Sequence, residues 1–295
     1  MVSRHAVVAG ASGFIGAALV KTLRRDGWRV TTLVRREPTA TDEVMWNPAS
    51  GELDPAVVSG ADAVINLAGS SISRMPWTKA IKADLMESRR TTTTTIVTAI
   101  NAAKVTPKVF LSASAIGFYG HRGDEELTEK SKRGDGFLAD VCVAWEKWAS
   151  KATCRTVYLR TGLVLGGGGA LAPLKLATLF GAGARVGSGR QWWPWISLRD
   201  EVRAIVHLID STVSGPVNLV GPKPATATTI TRALATALLR PHLFVIPTFA
   251  VKILGEAGFE LLLSSHRLTP EVLLADGFRF THPTASNAVR WAITD

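Results

Sequence analysis

The chain has 295 residues, 46% of them hydrophobic and 20% charged, the proportions of a folded globule with one large domain or a domain plus a smaller lobe. No apolar run approaches the roughly 20 residues that cross a bilayer, and the first apolar stretch leads into glycines rather than a cleavage site, so neither a membrane span nor a signal peptide is expected and the expected compartment is the cytoplasm. Cys142 and Cys154 lack metal-like spacing, which argues against a zinc site, and the net charge of +10 is dispersed without basic–aromatic runs, which argues against a specific nucleic-acid partner and for an anionic small ligand.

In chain order, short apolar runs alternate with helical patterns, the signal of βαβ units and a parallel sheet. HAVVAG (5–10) reads as a buried strand, FIGAALVKTLRRDG (14–27) as a helix, WRVTTLVRR (28–36) as a second strand and EVMWN (43–47) as a short third. ADAVINLAG (61–69) is a strand ending in small residues, and residues 77–104 form one long helix. Its run Thr91–Thr95 is poor for helix, since β-branched residues lose rotamer freedom there, but Leu85, Ile96 and Ile100 sustain a buried face. Strand KVFLSAS (108–114), a helix in GFLADVCVAWE (136–146) and strand RTVYLRTGLVLG (155–166) follow.

The rhythm then changes. Residues 166–195, rich in glycine and tryptophan, suit a substrate lobe or lid. DEVRAIVHLID (200–210) is a helix, PVNLVG (216–221) one more strand of the main sheet, ATTITRALATALLR (227–240) an amphipathic helix, and 241–295 mostly helical between prolines. The expectation is a doubly wound, Rossmann-like α/β domain over 1–225, interrupted by a substrate-lobe insertion at about 167–199, and a small mostly helical domain over 226–295.

VVAGASGFIGAAL sets Gly10, Gly13 and Gly16 between a strand and a helix. In that context the glycines allow a tight turn, a close approach to a pyrophosphate and close helix packing, while the helix N-terminus offers free N–H groups. Ser12 could add a hydroxyl donor. The end of the second strand holds Val34, Arg35 and Arg36 where an NAD site usually has a carboxylate. A guanidinium suits a 2′-phosphate, so NADP(H) is the expected cofactor, with Arg35 favoured over Arg36; a solvated strand-end charge is the alternative for either.

GASGFIG, NLAG (66–69) and SASAIGFYG (112–120), in that order, resemble the extended short-chain dehydrogenase/reductase superfamily. WTKAIKADLMESRRTTT, FLADVCVAWE, LRTGLVLGGGGAL, VGSGRQWWPWISLRDEV and GPVNLVGPKP resemble its atypical branch of nucleoside-diphosphate-sugar epimerase-like proteins. RPHLFVIPTFAVKILGE and LLLSSHRLTPEVLLADGFRF are similar to the small C-terminal domain of that branch. The resemblance implies a cofactor cradle of Gly10, Ser12, Gly13, Phe14, Ile15 and Gly16 with Arg35 at the 2′-phosphate. It further implies Leu67 and Ala68 beside the adenine ribose, Asp84 and Arg89 on the long helix passing the cofactor, and Val164 near the nicotinamide. A salt bridge between Asp84 and Arg89 is the competing explanation of that pair.

Ordinary members of the superfamily carry a Tyr and, four residues later, a Lys that lowers its pKa, with a serine on the preceding strand. Here Leu138 and Cys142 take the dyad places, on one helical stripe with Glu146, and Ser114 matches the serine, with Ser112 as alternate. The candidate catalytic residues are therefore Ser114 and Tyr119; Glu129 and Glu146 are possible acids, and Cys142 reads as a buried structural thiol. In GSGRQWWPWISLRDE, Arg190, Gln191 and Trp192 are candidates to bind a sugar, nucleobase or diphosphate; the alternative for the tryptophans, Trp193 and Trp195 included, is to seal the two lobes, and Asp200 would cap a helix or anchor strand to helix. Arg267 is a further cleft candidate or a solvated charge. The expected function is NADP(H)-dependent hydride transfer on a nucleotide sugar or another small hydroxyl or carbonyl compound. The rival is a catalytically silent NADP(H)-binding sensor or interaction protein.

Overall fold

The computed structural model describes residues 4–294 apart from residue 170. The first half lays down β1 (His5–Ala9), α1 (Phe14–Arg25), β2 (Arg29–Val34), β3 (Glu43–Met45) and β4 (Ala63–Asn66). It continues with α2 (Lys79–Ala102), β5 (Val109–Ala115), the short β6 (Glu126–Leu127), α3 (Phe137–Ala149) and β7 (Arg155–Thr161). The second half supplies β8 (Leu163–Leu165), α4 (Leu171–Leu179), β9 (Gly183–Val186), β10 (Trp195–Ser197), α5 (Leu198–Asp210), β11 (Gly215–Leu219) and α6 (Ala227–Ala237). It closes with β12 (His242–Ile246), α7 (Thr248–Lys252), α8 (Gly255–Gly258), β13 (Arg267–Leu268), α9 (Glu271–Ala275) and α10 (Ala285–Thr294).

A seven-stranded sheet runs β11-β7-β5-β4-β1-β2-β3, every pairing parallel. Its central strands are covered on both sides, which is why they read as unbroken apolar runs. Side chains alternate: Val8 and Leu111 join the cluster under α1 and α5, while Val7 and Phe110 join the one under α2. The expected doubly wound sheet is present.

The threonine run stays helical because its face of Thr92, Thr93, Thr95 and Ile96 is buried, and Thr91, Thr92 and Thr94 satisfy their hydroxyls on the carbonyls one turn back, Glu87, Ser88 and Arg90, at 2.9, 2.8 and 2.8 Å. The strand expected over 155–166 is two strands. Gly162 breaks it, because the carbonyl of Pro194 crosses so close that a Cβ there would lie 2.6 Å from the oxygen. The chain leaves the main sheet at that point and pairs as β8 with β10.

The mostly helical C-terminal region contains two strands that sequence reasoning did not place. β12 pairs with β9 and β13 with β6, both parallel. Their partners are distant in the chain, and no local pattern announces such pairing. The same region is anchored to the sheet domain by Asp200. Fully buried in the first turn of α5, which Ser197 caps, it accepts the N–H groups of Thr281 and His282 at 2.8 Å each. No described helix is long and apolar enough to cross a membrane.

Candidate functional site

Strand order reverses at β1, so the loops after β1 and β4 face each other across a crevice at the C-terminal edge of the sheet, where open α/β sheets bind ligands. The two loops touch through backbone. Gly10 has φ +80°, and a Cβ on it would lie 2.6 Å from the carbonyl carbon of Leu67. A Cβ on Gly16 would lie 2.1 Å from the Gly10 oxygen, so only glycine lets α1 dock this tightly. Gly13 is the N-cap of α1 and, like Ser12, is exposed; no side chain caps the helix. Its first N–H groups therefore remain available to an anion.

Phe14 and Ile15 begin α1 half-buried. The Phe14 ring lies on the glycine run after β8, where a Cβ at Gly166 or Gly169 would come within 2.7 or 2.9 Å of it. That run seats the start of α1. Val164, on β8, is buried in the apolar cluster against which Phe14 packs.

At the end of β2 the two arginines part company. Arg36 makes a fork onto Glu43 at 2.8 and 2.6 Å, which draws the Glu43 carboxyl down to about 2. Arg35 is exposed and, among the described residues, has no side-chain partner. After β4, Leu67 donates its N–H to the Ala9 carbonyl at 2.9 Å, and Ala68 donates to the Asn66 side chain at 3.1 Å. Asn66 is itself fully buried and held by Thr93. Asp84 does not pair with Arg89; it accepts Arg74 at 2.6 Å. Arg89 is buried against Trp145, and its Nη1 donates to the carbonyls of Leu85 and Ser70 at 2.9 and 3.2 Å. Its other donors have no partner among the described residues.

The candidate catalytic residues belong to one closed network. Ser114 donates to Glu146 at 2.8 Å, and Arg160 forks onto the same carboxylate at 2.8 Å through both Nε and Nη2. Arg160 Nη1 donates to the Tyr119 hydroxyl at 2.9 Å, which in turn donates to Asn218 at 2.7 Å. Tyr119 is fully buried and burial pushes its phenol up to about 12. The expectation that Tyr119 lines the cleft as proton partner is therefore corrected: its hydroxyl is enclosed by protein on the side of β7 and β11. Ser112 turns to the Ala113 carbonyl at 3.3 Å. Glu129 is no cleft acid either, since its Oε1 accepts the N–H groups of Asn218 and Val272. In the dyad places, Leu138 packs over Gly117, and Cys142 is buried with its thiol pushed up to about 12 by that burial.

The lobe residues are mostly structural. Gln191 donates to the carbonyls of Val186 and Leu262 at 3.0 Å, and Trp192 to Asp124 at 2.8 Å under the guanidinium of Arg267, which also pairs with Glu126. Gln191 is thus withdrawn from the surface it was expected to present. Trp193 and Trp195 are buried. Arg190 alone of the group is exposed with no side-chain partner among the described residues.

A cavity of about 510 Å³ opens beyond the end of β5, between Gly117 and Leu138 on one side and Phe259, Glu260, Ser264 and His266 on the other. Sequence reasoning passed over His266 and His121, which also lines it, for the neighbouring Arg267 and Tyr119. His266 is 6% exposed, and burial, with His121 adding to it, pushes its pKa down to about 4. One ring nitrogen meets Ser264 at 3.4 Å; the other has no partner among the described residues. No group of three or more potential metal ligands occurs among the described residues.

Residues 6–221 match the NAD dependent epimerase/dehydratase family, and residues 246–292 match a domain of unknown function, DUF1731. An epimerase family protein of Mycobacterium leprae is 42% identical over 300 residues, covering 99% of this chain and 97% of that protein. The epimerase family protein SDR39U1 of Bos taurus is 33% identical over 296 residues, covering 97% and 99%. Among solved structures, human epimerase family protein SDR39U1 with NADPH superposes with a TM-score of 0.90 at 29% identity, over 99% of both chains. A nucleoside-diphosphate sugar epimerase from Corynebacterium glutamicum superposes with a TM-score of 0.82 at 31% identity, over 99% of this chain and 58% of that one.

Proposed function

The chain belongs to the NAD dependent epimerase/dehydratase family, and on that premise we propose that it binds NADP(H) in the crevice between the β1 and β4 loops and acts by hydride transfer on a small hydroxyl or carbonyl compound in the cavity beyond β5. The observation that carries the reading is the crevice itself: a helix start that no side chain caps, Gly10 and Gly16, which admit no Cβ, and at its rim Arg35 with no side-chain partner among the described residues. These residues fit the cofactor. The first N–H groups of α1, from Phe14 to Gly16, would hold the pyrophosphate, Arg35 the 2′-phosphate, and Leu67 and Ala68 would border the ribose, with Arg89 behind them. NADPH in human SDR39U1 supports the choice.

When bound, the nicotinamide supplies the hydride acceptor or donor. The chain's own task is to place the substrate oxygen and exclude water. Leu138 presents an apolar wall of the cavity where the superfamily's tyrosine would be, while Ser114, at the end of β5, keeps its hydroxyl on Glu146. The candidate substrates are nucleotide sugars, the class named for the Corynebacterium relative, and other small hydroxy or carbonyl compounds. The dyad places held by Leu138 and the buried Cys142 favour a second reading, a silent NADP(H) sensor.

The test begins with protein purified without added nucleotide, any bound dinucleotide being identified by mass spectrometry. Arg35→Ala should lower NADPH affinity by about tenfold to a hundredfold, the worth of a charge-assisted contact, and leave NADH affinity unchanged. Equal losses for both cofactors would remove Arg35 from the site. Absorbance at 340 nm that stays constant across pools of carbonyl compounds and nucleotide sugars would favour the sensor.

A further inference from the structure

The N-terminus of α3 forms one wall of the cavity, and a helix start with free N–H groups ordinarily welcomes a phosphate. This one is occupied from within the chain. α3 is 13 residues long, and its N-cap, Gly136, has no side chain to cap it. Glu260, from the C-terminal region, takes that role: Oε1 accepts the Phe137 N–H at 3.0 Å and Oε2 the Leu138 N–H at 3.1 Å. The carboxylate presses so close that a Cβ on Gly136 would lie 2.8 Å from it.

The remaining charges of the lining do not favour an anion either. Its cations, Arg122 and Arg133, are engaged. Arg122 forks onto Glu125 at 2.7 and 2.5 Å and reaches the Lys132 carbonyl, while Arg133 binds Asp140 at 2.6 Å and the Gly134 carbonyl. Asp135 and Glu256 add two more carboxylates, Glu256 being paired with Lys82. Beside the Asp135 carboxylate, the polar atoms left to a ligand are the open ring nitrogen of the buried His266, the Ser264 hydroxyl and the Nε2 of His121, whose Nδ1 accepts the Ser265 N–H at 3.1 Å. Beside them Phe259 and Leu138 offer apolar faces. A diphosphate needs cationic or N–H donors without carboxylates beside them, and desolvating it here would go uncompensated.

We infer that this cavity takes an uncharged, hydroxyl-bearing carbonyl compound or alcohol, and that Glu260, by filling the anion site at the start of α3, shuts out the diphosphate of a nucleotide sugar. The inference rests on the proposal that the cavity is the substrate site. A hydroxyaldehyde would be reduced by hydride from NADPH and one proton from solvent, giving the alcohol and NADP+. His266 and Ser264 would act there as hydrogen-bonding, positioning groups for the substrate's hydroxyls.

The experiment uses the full chain with NADPH in excess, so that the phosphate loop is filled, and titrates UDP-glucose by calorimetry. Wild type should show no saturation up to about 1 mM, a Kd weaker than about −4 kcal/mol in binding free energy. Glu260→Ala should gain at least tenfold in affinity. Glu260→Gln, which keeps one acceptor and loses the charge, guards against a folding defect and should gain less in the same direction. In parallel, glyceraldehyde and dihydroxyacetone should consume NADPH at 340 nm, and Leu138→Trp, which fills the cavity, should abolish that consumption.

Wild-type binding of UDP-glucose that Leu138→Trp removes would overturn the inference and leave the substrate site standing. Wild-type binding indifferent to Leu138→Trp would overturn the site and the inference together. No gain in either Glu260 variant would overturn its role as gatekeeper, and absence of consumption with both neutral probes would overturn the uncharged-substrate assignment.

Discussion

The phosphate loop and the Ser114–Tyr119 network lie at the same edge of one parallel sheet, yet they are opposites. Around Gly10–Gly16 the backbone is packed as closely as atoms allow, while the first N–H groups of α1 and the Arg35 guanidinium have no side-chain partners among the described residues. Around Glu146 and Arg160 the reverse holds: five polar side chains, from Ser114 to Asn218, satisfy one another out of water. A place built for a ligand keeps unsatisfied donors at its surface, because the ligand will satisfy them. A place built for stability does not. The contrast teaches that matching a serine or tyrosine to a catalytic position is insufficient until its hydroxyl is shown to face open space.

The sharpest way to break the contrast is inside the network. Arg160→Leu leaves the largely enclosed Glu146 carboxylate, 11% exposed, without its fork and the Tyr119 hydroxyl without a donor. It should cost about 3–5 kcal/mol of unfolding free energy, read by urea denaturation; a loss below about 1 kcal/mol would show that the network contributes little. In the loop, Gly16→Val forces the start of α1 off the Gly10 carbonyl. NADPH affinity should fall about a hundredfold, near 2.7 kcal/mol, and a thermal melt should show the stabilising effect of added NADPH disappear.

Glu201 sharpens the comparison with a pH signature. It is fully buried, its Oε1 accepts the Thr161 hydroxyl at 2.8 Å, its Oε2 has no partner among the described residues, and burial raises its pKa from 4.5 to about 8. The folded state holds this proton more tightly than the unfolded chain, so its contribution is intact below about 4.5 and declines as pH rises towards about 8. Glu201→Gln should flatten that decline. An unchanged slope of stability against pH between those limits would count against the buried acid. The smallest effect belongs to Tyr119→Phe, which should cost about 1–2 kcal/mol through Asn218 and Arg160 while NADPH binding and any turnover stay intact. A turnover loss exceeding the stability loss would return Tyr119 to the chemistry.

Much of this was legible in the residues. The βαβ rhythm, the glycine loop and the strand–helix alternation carry the sheet, because burial on both faces and a 3.6-residue stripe leave direct marks on local sequence. The two arginines at 35 and 36 were distinguishable only as a preference; what separates them is Glu43, on the neighbouring strand, which holds one and not the other. Tyr119 illustrates the opposite failure, since its neighbours place it near the cleft while Asn218 and Arg160, from distant strands, draw its hydroxyl inward. The cavity was least legible. His121 and His266 come from loops and Glu260 from the helical turn Phe259–Leu263, all remote in the chain, and none sits in a pattern that advertises its partner. The strand pairs β12–β9 and β13–β6 escaped for the same reason.

Asp200, fastened to the N–H groups of Thr281 and His282, carries a consequence for inheritance. Leu273 and Phe278 from the same terminal stretch fill the core beneath α5, and Leu262 receives Gln191 and Trp193. The two matched segments, 6–221 and 246–292, are therefore not separable modules that recombination could shuffle freely. A gene that lost its last fifty or so codons would strip Asp200 of the Thr281 and His282 amides and open the apolar core beneath α5. The pair must be passed on as one unit.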